Sequence, residues 1–175
     1  MSKIFKAACI QNCATPDVGE NIEVCSRLVR AAAGEGATLI ATPEYFSGVT
    51  TDNGRIFPTA FTEAEHPVIP AFAKLARELG VEILLGSLGV TAPDGRIFNR
   101  SYMLSATGEV TARYAKVHMF DVNLGDDMII RDSATIAPGD EAVLAPAGGT
   151  SMGLSVCYDL RFAGLYRALA HGGAE

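Results

Sequence analysis

Apolar residues fall in short dense runs separated by polar, turn-forming segments, and the spacing within the runs changes along the chain. KIFKAACIQ (3–11) is dense in apolar residues and flanked by turn formers, which predicts a strand. In NIEVCSRLVRAAAG (21–34), Ile22, Cys25, Leu28, Val29 and Ala32 recur at helical spacing, so a helix is expected with Asn21 as its cap and Gly34 at its close. Cys25 is then core filling. ATLIATPEYF (37–46) predicts a short strand stopped by Pro43, which leaves Glu44 just past its end. The polar stretch from Ser47 to Glu65 is expected to be loop. HPVIPAFAKLARELG (66–80) repeats the helical pattern through Ile69, Phe72, Ala73, Ala76 and Leu79, with Gly80 as terminator, and VEILLGSLGV (81–90) is the next buried strand.

Beyond residue 90 the punctuation tightens. PDG (93–95) and ATGE (106–109) separate RIFNRSYMLS from EVTARYAKV, a pattern of antiparallel hairpins that puts Lys116 at the end of a strand. Residues 121–150, with four glycines and two prolines, are expected to be mainly loop. TSMGLSVC (150–157) predicts a strand ending at Cys157, and FAGLYRALAHGG (162–173) a helix with Leu165 and Leu169 on one face. Strand–helix alternation followed by hairpins indicates a layered α/β domain with a mixed sheet.

Composition narrows the function. The 175 residues are 49% hydrophobic and 19% charged, which suits one soluble domain with a real core. A formal net charge of -6 without any Lys/Arg cluster argues against nucleic acid and anionic membranes as partners and leaves small molecules. The N-terminal stretch is neither a signal peptide nor a membrane span, so a cytoplasmic protein is expected. Cys9, Cys13, Cys25 and Cys157 lack the paired spacing of a zinc site, His66, His118 and His171 are scattered, and a reducing compartment argues against disulfides. A structural metal is therefore not expected.

Glu44, Lys116 and Cys157 each fall at the end of a predicted strand, where α/β folds build their sites. Taken singly, a cysteine in an apolar strand is core, a Glu after Pro caps a turn, and a lone Lys is a solvated charge. Together they have a chemistry. A neighbouring ammonium favours the thiolate, a carboxylate within reach takes the thiol proton and later activates water, and the ammonium stabilises an oxyanion. His118 leaves open a Cys-His reading, as an acyltransferase or protease. Asp159 and Arg161 either brace the loop or bind a carboxylate, and Tyr45 and Phe46 are pocket wall or core.

PEYF around Glu44, RYAKVHMFD around Lys116 and GLSVCYDLRF around Cys157 resemble, in order and over essentially the whole chain, the nitrilase superfamily of carbon-nitrogen hydrolases. The segment from Tyr114 to Glu175 is most similar to the Nit branch of deaminated glutathione amidases and omega-amidases. The resemblance implies an αββα sandwich with mixed sheets and a Glu44–Lys116–Cys157 triad. It also implies an oxyanion hole in which the Tyr158 backbone N–H joins the lysine, and no cofactor. The implied activity is hydrolysis of a small linear carboxamide, with release of ammonia, through a cysteine thioester.

Two departures stand out. Nit-like sequences carry a second glutamate in a segment like ESxTxxPG, where this chain reads DSATIAPG, so Asp132 keeps the charge with a shorter reach. The chain also stops at Glu175, where a further strand of the family fold is expected. Residues 1–175 are therefore expected to be a carbon-nitrogen hydrolase domain incomplete at its C-terminal end, self-associating and weakly active as given, and a homodimer or higher homo-oligomer at full length. The alternative from another class is a catalytically silent nitrilase-like fragment or binding module.

Overall fold

The structure is a computed structural model that describes residues 4–52, 55–123, 125 and 129–175. Strand β1 (Ala7–Cys9) runs parallel to β2 (Leu39–Ala41), with helix α1 (Val18–Gly34) in the connection between them. The hairpin β3 (Val49–Asp52) and β4 (Arg55–Pro58) follows, and then the two-residue strand β5 (Ala60–Phe61). Helix α2 (Val68–Leu79) ends on Gly80, whose left-handed φ of 65° closes the helix at no steric cost. It leads into β6 (Glu82–Thr91), which pairs in parallel with β2 on one side of a bulge and with β5 on the other. The antiparallel meander continues through β7 (Ile97–Leu104) and β8 (Val110–Ala115).

A second hairpin, β9 (Asp121–Asn123) with β10 (Ile129–Arg131), stands apart from this sheet. The chain returns through a short 3-10 turn to β11 (Ile136–Ala137), parallel to β7. Strands β12 (Leu144–Ala147) and β13 (Thr150–Gly153) form a last antiparallel pair, and α3 (Ala163–His171) follows.

Period-2 alternation divides the main sheet between two cores. Ile83, Leu85, Tyr102 and Leu104 face α1 and α2, where they pack on Cys25, Val29, Phe72 and Leu75. Leu39, Met103, Ala112 and Tyr114 face the other way, onto Ala145, Ala147, Leu165 and Leu169. The layers therefore run helix, sheet, sheet, helix. Helix α3 lies close on β13: a Cβ at Gly153 would come within 2.9 Å of Leu169 Cδ1. No helix among the described residues is long and apolar enough to cross a membrane.

Several expectations are corrected. Helix α1 is capped four residues before the expected position, because the Asp17 carboxylate accepts from the Glu20 N–H at 3.0 Å and satisfies the open first turn. Asn21 is instead buried one turn in, where its side chain ties down Thr15 and the Ser47 carbonyl. The stretch from Ser47 to Glu65, expected to be loop, holds β3, β4 and β5, while residues 121–150, expected to be mainly loop, carry among the described residues only the short strands β9 to β12 before β13 begins. Lys3, 53–54, 124 and 126–128, which belong to these expectations, lie outside the described residues. Cys9 and Cys13, which lie in or beside the first apolar run, are exposed, whereas Cys25 is fully buried and its thiol is pushed up to about 11 by burial. The strand expected over 150–157 ends at Gly153, and Cys157 instead opens a 3-10 turn, Cys157–Arg161.

Candidate active site

The bulge in β6 builds the first wall of the site. Gly86 has no Cβ because a carbon there would lie 1.9 Å from the Thr42 carbonyl oxygen and 2.6 Å from that of Pro43. That close approach lets Gly86 N–H donate to Thr42 Oγ1 at 3.0 Å, while Gly86 C=O accepts from the Ser101 hydroxyl. Ser87 N–H donates to the Pro43 carbonyl at 3.3 Å, and Ser87 Oγ accepts from the Tyr45 N–H at 3.1 Å. The chain is thereby held through a left-handed turn at Tyr45, φ 51°, costly for a residue with a Cβ. Glu44 projects from this turn.

The other positions converge on it. Lys116, the residue after β8, is 3% exposed, and its Nζ lies 3.8 Å from Glu44 Oε1 and 3.6 Å from Asp132 Oδ2. Asp132 sits in the short turn after β10, where its Oδ2 accepts from the Phe120 N–H at 3.1 Å. Cys157 has the second left-handed non-glycine φ, 50°, and its thiol lies near enough to the Glu44 carboxylate, Lys116 and the Tyr158 N–H for each to shift its pKa. Glu44, Lys116, Asp132 and Cys157 line a cavity of about 310 Å³ whose remaining walls include Tyr45, Phe57, Phe120 and Ile130.

Lys116 acts on the thiol in the expected direction, but the net shift is upward. Burial and then the Glu44 charge and hydrogen bond raise it, and together they outweigh Lys116 and the Tyr158 N–H, which act the other way. The resting sulfur is a thiol whose ionisation the neighbouring Glu44 charge opposes. Tyr45 is pushed up well above the ordinary phenol range, first by burial and then by Glu44, Asp132 and Cys157, and remains a neutral hydroxyl.

Other candidates are placed elsewhere. His118 turns into Asp159, Nδ1 to Oδ1 2.7 Å, and stacks on Phe162 with centroids 3.7 Å apart. Asp159 is fully buried and braces the loop, Arg161 is exposed, and Phe46 is core, edge-on to Phe72. The residue that sequence reasoning missed is Asn99 on β7, 1% exposed. Its Nδ2 donates to Glu44 Oε1 at 2.7 Å and its carbonyl accepts from the Lys116 N–H at 2.9 Å. A polar residue in mid-strand was the only signal for it.

The profile of the family described as Carbon-nitrogen hydrolase matches residues 6–175. The chain belongs to that family. Within it, the chain is 32% identical to the deaminated glutathione amidase of Synechocystis sp. (strain PCC 6803 / GT-S), over 99% of this chain and 64% of that protein. It is 35% identical to the human deaminated glutathione amidase, over 96% of this chain and 53% of that one. The chain thus spans less than two thirds of the length of these curated relatives. Among solved structures, the C. elegans NitFhit protein superposes with a TM-score of 0.83 at 21% identity, covering 97% of this chain and 42% of that one. The helix–sheet–sheet–helix layering and mixed sheets are those of nitrilase-superfamily structures.

Proposed function

We propose that this carbon-nitrogen hydrolase chain carries the site of an amidase that hydrolyses a small linear carboxamide through a thioester on Cys157. The observation that carries the reading is the convergence, on one cavity, of the Cys157 thiol, the Glu44 carboxylate and a buried Lys116 within 4 Å of two carboxylates. Glu44 takes the thiol proton as the sulfur attacks the amide carbonyl, and the carbonyl electron pair moves onto oxygen. Lys116 Nζ and the Tyr158 N–H stabilise that oxyanion. When it collapses, the C–N bond breaks, the nitrogen takes the proton held on Glu44, and ammonia leaves. Glu44 then deprotonates a water that attacks the thioester, and the second collapse returns the thiol and frees the carboxylic acid. Asp132, at 3.6 Å, steadies Lys116.

No step requires a metal or organic cofactor. The partner is a small amide, with neither nucleic acid nor membrane involved, and the setting is cytoplasmic. The test is ammonia release from a panel of ω-amides, with acid quenching and peptide mapping during turnover. Ammonia and an acyl group on the Cys157 peptide are expected. Ammonia-free mixtures would favour a silent binding module, and an acyl group on another residue would remove Cys157 from its role.

The assembly is proposed as a homodimer or higher homo-oligomer, supported by Leu160 and Tyr166, which are 69% and 37% exposed beside α3. Light scattering is expected to read at least twice the 18.4 kDa chain mass. A monodisperse monomer at assay concentration would refute it.

A further inference from the structure

We propose that Asp159 is a positioning residue, a single buried carboxylate that sets the separation between the Lys116 ammonium and the Cys157 sulfur. Its side chain is fully enclosed and accepts four hydrogen bonds from two segments of the chain. Oδ2 takes the Tyr114 hydroxyl at 2.6 Å and the Val156 N–H at 2.9 Å. Oδ1 takes the His118 N–H at 3.0 Å and His118 Nδ1 at 2.7 Å, and since a carboxylate only accepts, Nδ1 carries the hydrogen. The Tyr114 hydroxyl in turn accepts from the Val117 N–H at 3.3 Å.

The placement of these donors is what matters. Tyr114, Val117 and His118 straddle Lys116, so the carboxylate grips the lysine's strand end on both sides. Val156 immediately precedes Cys157, and Asp159 is two residues after it, so the same carboxylate closes the turn that holds Cys157 at φ 50°. The Phe162 N–H donates to the Asp159 carbonyl at 3.0 Å, and the Phe162 ring stacks on His118, which ties the far end of the turn to the same segment. The main sheet delivers Lys116 and the turn after β13 delivers Cys157. Asp159 is where the two are registered, a charge-assisted network in a dry interior where misfit is costly.

This inference rests on the amidase reading for its purpose, but its test does not need turnover. Iodoacetamide labelling of Cys157 as a function of pH, followed on its own peptide, reports how strongly Lys116 favours the thiolate whether or not an amide is hydrolysed. Asp159→Asn keeps the volume but turns an NH₂ toward one pair of donors. Tyr114→Phe removes one donor and keeps the ring. In each, the labelling midpoint is expected to rise by about one pH unit, a part of the roughly 1–3 units that a close opposite charge exerts. In a Lys116→Ala background the same substitutions are expected to add no further rise. If Asp159→Asn does not fold, Tyr114→Phe decides alone. A lowered melting temperature with an unmoved midpoint would make Asp159 structural only, and a rise that persists without Lys116 would show that it acts through another group; either overturns the proposal.

Discussion

Glu44→Gln is expected to lower turnover by about 10²- to 10⁴-fold, the usual worth of a positioned general base, while making the Cys157 thiolate easier to form. The two effects have one cause. Burial raises the thiol first, and the Glu44 charge and hydrogen bond raise it further, against Lys116 and the Tyr158 N–H. Glutamine removes the charge and offers an amide hydrogen to the sulfur, so the remaining nearby influences favour the anion. Iodoacetamide labelling of Cys157 should therefore reach its half-maximal rate at lower pH in the variant than in the parent. Cys9 and Cys13 are also exposed, so the labelling must be read peptide by peptide. A variant with more thiolate and less turnover separates proton transfer from nucleophile ionisation. A near-normal kcat, or a labelling midpoint that fails to fall, would remove Glu44 from its role.

Gly86→Ala should be the most damaging added methyl among the described glycines. The new Cβ would lie 1.9 Å from Thr42 O and 2.6 Å from Pro43 O, backbone atoms that cannot rotate away. Relief requires the segment carrying Glu44 to move off β6, with loss of the Gly86 to Thr42 and Ser87 to Pro43 hydrogen bonds. Overpacking costs about 1–3 kcal/mol and more against backbone, so a loss of about 3 kcal/mol is expected. For a chain of this size that lowers the melting temperature by roughly 6–12 °C. The labelling midpoint of Cys157 should fall as well, because Glu44 is carried away from the sulfur. Unchanged melting would mean that the bulge tolerates a side chain and that Glu44 is held by something else.

The order of elements was legible where apolar residues are dense, as in ATLIATPEYF and HPVIPAFAKLARELG. It was illegible where strands are polar. Val49–Asp52 and Arg55–Pro58 read as loop by composition, although the Asn53-Gly54 pair between them is a hairpin signal. The two glycines inside VEILLGSLGV also marked a place of close backbone approach, which is the bulge at Gly86. In the site, Glu44, Lys116, Asp132 and Cys157 were singled out from sequence, and the structure brings them to one cavity. Asp159 was read as a possible brace of its loop, but its bonds to Tyr114 and His118, like that of Asn99 to Glu44, were not legible, because they join residues more than 40 positions apart and no local pattern encodes such a pairing. The sign of the thiol shift was missed for the same reason: Lys116 was weighed without the burial and the carboxylate that oppose it.

The arrangement of charge around Lys116 also bears on how a reaction would end. One cation lies between two carboxylates, so the inner end of the cavity is formally one unit negative. Arg131, exposed on the cavity wall, is positive. A neutral amide would feel little of this field on the way in, whereas the acid made from it would be born as an anion beside Glu44 and drawn toward Arg131. In an amidase acting on an uncharged amide, the polarity of the cavity would therefore act as a one-way bias, indifferent to substrate and expulsive toward product, and it should weaken inhibition by the product acid relative to inhibition by an uncharged analogue of the same shape.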